Sequence, residues 1–445
     1  MNEKKFSGKI GFILAAAGSA VGLGNLWRFP YLAAKYGGGT FLFIYLILAV
    51  TFGFALMVTE IAIGRKTGKN VVDAYATLNK KYKFIGYLSA LVPIIIFPYY
   101  CVIGGWVLKY LTVYVTNQGA AATSDTYFTG FISGATEPII FLLVFLIATT
   151  VVVVGGVQKG IEKFNKILMP VLIVISIGIA GYGLTVPGAM DGFIYYIKPN
   201  LSKISFNAVL AAAGQLFYSL SLAMGIMITY GSYMKKEDNI EECVRHIEIF
   251  DTGIAFISGL IVVPAVFAFS GGEQAASTSG PSLMFITLPK VFESMKMGNL
   301  IGAAFFILVF FAAITSSISL METIISMIEE KLKLKRITAC ILVAVVSIGL
   351  ALPSTLGFGV WSHITIIGLS FLDFFDFISN SILMPVVALL MCIFVGYILK
   401  TDVIAEEISE SEEFRSRKLY DFIIKIVAPI FLILILVTSI LSTFG

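Results

Sequence analysis

Polar residues along this chain come in short clusters, and between them lie about eleven apolar stretches, near 10–33, 39–64, 85–116, 138–156, 160–184, 206–233, 240–271, 297–330, 336–352, 360–399 and 418–442. Crossing the roughly 30 Å hydrocarbon core of a bilayer takes about 20 mostly apolar residues per helix, so the pattern predicts about eleven transmembrane helices. Long runs such as 139–154 and 305–314 do not alternate, whereas a transmembrane barrel alternates in segments of about ten residues. The expected fold is an all-α membrane protein, one transmembrane domain over 1–445 with no room for a separate soluble domain. Composition agrees, since 58% of the 445 residues are hydrophobic and only 13% charged, outside the usual balance of a soluble domain.

The charges are sorted by loop. With the amino terminus inside, 23 of the 31 Lys and Arg fall on inner segments, while the outer loops hold Lys198, Lys203, Lys290 and Lys296. This asymmetry predicts a cytoplasmic amino terminus, an external carboxyl terminus and a multi-pass protein of the plasma (inner) membrane. With the basic residues sorted in this way, the formal charge of +4 says little about nucleic acid; the partners expected are the bilayer and a small-molecule substrate, with no nucleic acid and no obligatory protein partner. The first stretch follows the basic start Lys4, Lys5 and Lys9, yet it runs too long for a signal peptide, contains Arg28 and Pro30 and lacks a small-residue cleavage pattern. Cys101, Cys243, Cys340 and Cys392 show no paired spacing and are read as packing residues.

Two stretches look wrong as simple spans. The first carries Gly18, Ser19, Gly22, Gly24 and Asn25 at mid-membrane depth, and the sixth carries Gly214, Gln215, Ser219, Ser221 and Gly225. Glycine in a helix interior costs about 1 kcal/mol relative to alanine, and unwound backbone at this depth is tolerated only where protein or a water-filled cavity satisfies its polar groups. Glycines can also serve close helix packing. Breaks at matching positions of two halves are the stronger reading, because they mark a transporter binding site.

The run Gly18-Ser-Ala-Val-Gly-Leu-Gly-Asn-Leu-Trp-Arg-Phe-Pro30, followed by Gly37-Gly38-Gly39, resembles the first-helix signature of the neurotransmitter:sodium symporter family. Matches follow at Glu60, at Tyr99-Tyr100, at the Gln215–Gly225 break and at Thr315-Ser316-Ser317. An eleventh helix without a twelfth is similar to the bacterial amino-acid transporter branch. The resemblance implies a LeuT-type fold of two inverted five-helix repeats, about 10–184 and 206–399, with an extra helix at 418–442. It implies sodium-coupled uptake of a hydrophobic or aromatic amino acid by alternating access, with two Na⁺ ions suspected and no organic cofactor.

By that resemblance, one sodium site combines the carbonyl of Ala20 with Asn25, Ser219, Asp251 and the cargo's carboxylate. A second uses the carbonyls of Gly18, Val21 and Ala312 with the hydroxyls of Thr315 and Ser316. The amino acid would set its carboxylate near Leu23, Gly24 and Tyr100, and its ammonium near Ala20, Tyr218 and Ser221. Its side chain would lie against Ser19, Ile96, Tyr100, Tyr218, Met224, Ser316 and Leu320. Such a pocket is apolar and suits an apolar cargo, and Met224, standing where relatives often carry an aromatic, can adapt to a ring. Chloride-dependent members usually carry Asn and Ser where this chain has Asp251 and Ala255, so the fixed carboxylate implies chloride-independent transport, with Asp251 a functional group rather than a structural partner.

Gates and supports follow in the same way. Arg28 would pair across the outer vestibule with Asp373, or with Asp376, under the ring of Tyr218. Glu60 and Gln215 would support the unwound backbone. On the inside Phe6 falls where the family has Trp, and Lys4 or Lys5 would reach Glu329 or Glu330. Gly160 and Pro170 match a Gly-to-Pro spacing of the family, consistent with local melting that admits water to the second site or with a plain kink.

An intramembrane enzyme is disfavoured: the two histidines, His246 and His363, belong to no H-E-x-x-H run. Gly64 to Asn70 imitates a phosphate loop, but its glycines are one residue too close and Asn70 replaces Ser or Thr. A carrier for small neutral amino acids, and a channel or non-transporting sensor on the same scaffold, stand as alternatives.

Overall fold

A computed structural model describes residues 5–270 and 281–444. Its regular structure is helical apart from one isolated bridge between Ile366 and Leu369. Among the described residues nine helices are long and apolar enough to cross a membrane, and the pair Lys9–Ala20 and Gly24–Lys35, bent by 54°, makes the first span. The sixth span is the pair Phe206–Ser219 and Ile226–Ser232, each piece too short to cross alone.

The tenth span departs from expectation. The helix begins at Phe371 and reaches Ile398, about one-third shorter than the apolar stretch at 360–399. Residues 357–370 turn instead, with Ile367 (φ 51°) and Gly368 (φ 83°) in the left-handed region and each of Ile366 and Leu369 donating its amide to the other's carbonyl at 3.0 Å. Hydropathy does not register such a turn, because a glycine and an isoleucine score as apolar whatever their dihedrals.

The spans sort by what surrounds them. Ile147, Val151, Val174, Val345 and Ile433, on the fourth, fifth, ninth and eleventh spans, turn their side chains outward, as lipid-facing residues do. The first span is buried instead from Gly11 to Gly24 apart from Leu14. The third (Lys80–Val115) and eighth (Gly298–Leu332) pack extensively against each other. Asn25, Gln215, Asp251 and Glu322 are fully buried and Glu60 nearly so. Polar groups thus gather in the middle of an apolar shell, where each needs a partner. The four cysteines are buried and unpaired.

Candidate functional site

The break in the first span starts when Val21 turns to an extended conformation (φ −73°, ψ 97°) after its amide has closed the last helical turn on Ala17. Gly22 then gives its amide to Asn25 Oδ1 at 3.0 Å, not to the Gly18 carbonyl four residues back. In the sixth span Ser221 (φ 53°), Ala223 (φ 59°) and Gly225 (φ 72°) are left-handed. For the two non-glycine residues that is a strained state, which persists only where surroundings enforce it. They do so here. Ser221 Oγ donates to the Ser19 carbonyl at 3.1 Å, and the Ala223 amide donates to Glu60 Oε1 at 2.6 Å. Gln215 Nε2 reaches the Gly24 carbonyl at 3.0 Å. Glu60 and Gln215 thus both hold backbone freed by the breaks.

Between the two breaks lies a cavity of about 30 Å³. Ser19, Ala20, Leu23, Gly24, Ile96, Tyr100, Tyr218, Ser219, Ser221, Met224, Ser316 and Leu320, every residue expected at the cargo site, line it, and Gly22, Asn25 and Ile226 complete the wall. The wall mixes two chemistries. The Tyr100 hydroxyl, buried and with no hydrogen-bond partner among the described residues, lies close to Gly22, while Ile96, Met224, Ile226 and Leu320 present carbon.

Asp251 sits in the seventh span (Ile240–Phe269) at 0% exposure. Its Oδ1 accepts from Asn25 Nδ2 and from Ser219 Oγ, both at 2.7 Å, and its Oδ2 accepts from Tyr45 at 3.1 Å. Asn25, Ser219 and Asp251 therefore converge beside Ala20, at the end of the first helical segment. These groups fit a hard monovalent cation: a carboxylate, a hydroxyl, a carbonyl and an amide whose oxygen and nitrogen ends share one shape. Ala255 is buried one turn further on.

The second proposed set also comes together. Ser316 Oγ donates to the Ser19 carbonyl at 3.0 Å and the Val21 carbonyl at 3.4 Å, and Thr315 Oγ1 donates to the carbonyls of Phe311 and Ala312 at 2.9 and 3.1 Å. Gly18 packs near Thr315. This set ties the first span to the eighth through oxygens alone.

On the Arg28 side of Tyr218 a larger cavity of about 740 Å³ adjoins the first and shares Tyr218 with it. Arg28, Asp373 and Asp376 line it. The guanidinium of Arg28 rests over the Tyr218 ring, 5.5 Å from its centre, and makes no ion pair among the described residues. Asp373 is instead taken by Ser370, which caps its helix, and Asp376 accepts from Asn380 and Tyr99 at 2.5 and 3.3 Å. The expected Arg28–Asp373 pair is thus unformed, with the vestibule open between them.

The end that holds the amino-terminal segment is packed shut. Phe6 is 1% exposed, packs edge-on against Phe12, Tyr230 and Tyr233, and gives its amide to the Tyr233 carbonyl. The charge pairing expected at this end is different. Lys4 lies outside the described residues, Lys5 offers its carbonyl to Gln158, and Glu330 accepts from Asn70. Asn70 also caps the helix Val71–Leu78 through its side-chain oxygen, so the imitation phosphate loop is a helix start. Glu329 lies 3.9 Å from Arg336, whose guanidinium binds Glu322, in turn bonded by Tyr233. Gly160 falls in a widened turn at Val157–Glu162, and Pro170 in the following helix Lys163–Leu184.

Sequence reasoning missed Glu322 and Arg336, Tyr45 behind Asp251, and Asn165. A carboxylate in the middle of an apolar span is itself a signal, and Glu322 carried it. Tyr45 and Asn165 carried none, because only packing brings them to the breaks.

Two broken spans around a cavity of mixed polar and apolar wall, set among helices long enough to cross a bilayer, define a multi-pass membrane carrier. The chain belongs to the sodium:neurotransmitter symporter family, whose description matches residues 3–137 and 132–444, and it is a sodium-dependent symporter rather than an enzyme. A sodium-dependent transporter of Haemophilus influenzae is 33% identical over 98% of both chains. One of Bacillus subtilis is 35% identical over 91% of both. The human sodium- and chloride-dependent GABA transporter 2 is 27% identical over 73% of this chain and 62% of its own. Among solved structures, MhsT in complex with L-phenylalanine superposes with a TM-score of 0.88 at 37% identity, covering 98% of this chain and 99% of that one.

Proposed function

We propose that this symporter imports a hydrophobic or aromatic amino acid together with two Na⁺ ions, without chloride, from the outside to a cytoplasm that holds its amino terminus. One observation carries the reading: the cavity between the breaks is lined both by the buried Tyr100 hydroxyl, unpartnered among the described residues, and by Ile96, Met224, Ile226 and Leu320. A zwitterion with an apolar side chain matches both. Its carboxylate meets the Tyr100 hydroxyl and the amides after the first break, where anions are favoured. Asp251 offers the first cation a fixed negative charge in place of a halide. The two five-helix repeats, 10–184 and 206–399, then rock about this centre, with 418–442 outside them.

Small neutral amino acids are the second reading, favoured by the cavity volume of about 30 Å³. A thermal-shift screen of the common amino acids with and without Na⁺ separates the two. Phenylalanine, tyrosine, tryptophan or leucine should stabilise the protein only with Na⁺. Stabilisation by glycine and alanine alone favours the second reading, and strong stabilisation by lysine or glutamate overturns both.

A further inference from the structure

Asn165 lies in the fifth span with 0% of its surface exposed. Its Nδ2 donates to the Ile161 carbonyl at 2.9 Å, which turns the amide so that Oδ1 faces the first span. That oxygen has no hydrogen-bond partner among the described residues. A buried acceptor left unmet is costly, so each such case needs an account.

The position of Oδ1 supplies one. A Cβ added at Gly18 would lie 2.0 Å from Asn165 Oδ1 and 3.4 Å from Thr315 Cβ. The unmet oxygen, the glycine and the threonine therefore meet around one point, at the wall of the second cation site proposed above. The Gly18 carbonyl, at the same residue, is not claimed by the Gly22 amide, which goes to Asn25. One turn nearer the amino terminus of the same span, the Glu162 carboxylate presses on Gly11 of the first span. It is held by the Ser7 amide at 2.8 Å and by Lys166 at 2.5 Å. Asn165 and Glu162, three residues apart on one helix face, thus set two oxygen groups against two glycines of the first span, leading from the site toward the amino-terminal segment.

We propose that Asn165 Oδ1 is a further oxygen of the second cation site, serving the Na⁺ directly or through one water on the side from which the ion leaves. The inference rests on the reading of Gly18 and Thr315 as ligands. It explains why the fifth span carries an amide rather than a hydrocarbon opposite Gly18, and why its free end is the oxygen. A carbonyl dipole aimed at a cation is favourable without the desolvation cost of a second carboxylate.

Binding of radioactive sodium alone to the purified full-length chain, read by scintillation proximity, tests this for Asn165→Leu, Asn165→Asp and Thr315→Ala. Asn165→Leu should raise the half-saturating Na⁺ concentration by roughly threefold or more, as loss of one charge-assisted contact implies, and Asn165→Asp, of equal size, should lower it. Should Asn165→Leu fail to fold, Asn165→Asp carries the test, since a space-filling amide predicts no shift for it. If Thr315→Ala weakens Na⁺ binding while the Asn165 variants match the parent, the inference is overturned and the second site stands. If Thr315→Ala has no effect either, both fall together.

Discussion

The carbonyl of Ser19 accepts the hydroxyl of Ser316 at 3.0 Å, across from the eighth span, and the same oxygen accepts Ser221 of the sixth at 3.1 Å. Three spans therefore meet on one backbone atom, where the first helical segment ends.

Ser316→Ala removes one of these two donors and its weaker contact with Val21. A net hydrogen bond is worth about 1 kcal/mol, so we expect the half-saturating Na⁺ concentration for substrate binding to rise roughly fivefold with little loss of thermal stability. Titration of amino-acid binding against Na⁺ checks this.

Asp251→Asn replaces the fixed charge with a neutral amide of the same shape. Uptake in chloride-free proteoliposomes should fall by about tenfold or more, the scale of a charge lost from a desolvated site, and external chloride should restore part of it. Parent uptake that needs chloride would contradict this account of Asp251.

The second and sixth spans touch backbone to backbone. A Cβ at Gly64 would lie 2.0 Å from the Ile228 carbonyl, and one at Gly231 would lie 2.4 Å from that of Ile61. Gly64→Ala or Gly231→Ala forces the pair apart and should cost about 1–3 kcal/mol, seen as a lowered melting temperature in detergent. Gly214→Ala, where a Cβ meets nothing within 4 Å, serves as the control.

Arg28→Ala takes away the cation above the Tyr218 ring, a contact worth about 0.5–2 kcal/mol, and the charge that faces Asp376 across the vestibule. Dissociation of bound amino acid to the outside should accelerate several-fold, by roughly the factor those energies imply. Stopped-flow release measures it.

Glu322→Ala leaves Arg336, whose side chain is 20% exposed, without its main partner. Breaking a buried pair from one side costs about 3–5 kcal/mol, and Tyr233 loses its acceptor as well. The seal around Phe6 should loosen, so Phe6→Cys should label faster with a membrane-impermeant thiol reagent than it does in the background that keeps Glu322. Equal labelling would show that the Phe6 cluster closes this end without this network.

Much of the molecule was legible beforehand because lipid is a simple solvent. A helix that must bury every backbone polar group announces itself by length and composition, and glycines with small polar residues at mid-depth announce a break. The first-span motif then led to residues that do converge on one cavity. The start of the tenth helix was not legible, since the turn at Ile367–Gly368 depends on dihedrals rather than hydropathy. The partners of Asp373 and Glu330 were not legible either. Each has several oppositely charged or polar neighbours within a helical turn or a loop's reach, and only the packed geometry selects Ser370 for one and Asn70 for the other.

What the sequence determined by itself was the solvent, the spans and the two places where helices fail, because those follow from residue type and spacing along the chain. What the tertiary structure decided was which groups face each other there: Tyr45 behind Asp251, Asn165 against Gly18, Arg336 on Glu322. These pairs are 206, 147 and 14 residues apart, and a hydrogen bond falls away within about an ångström of its ideal length. No pattern along the chain encodes a distance that fine; packing does.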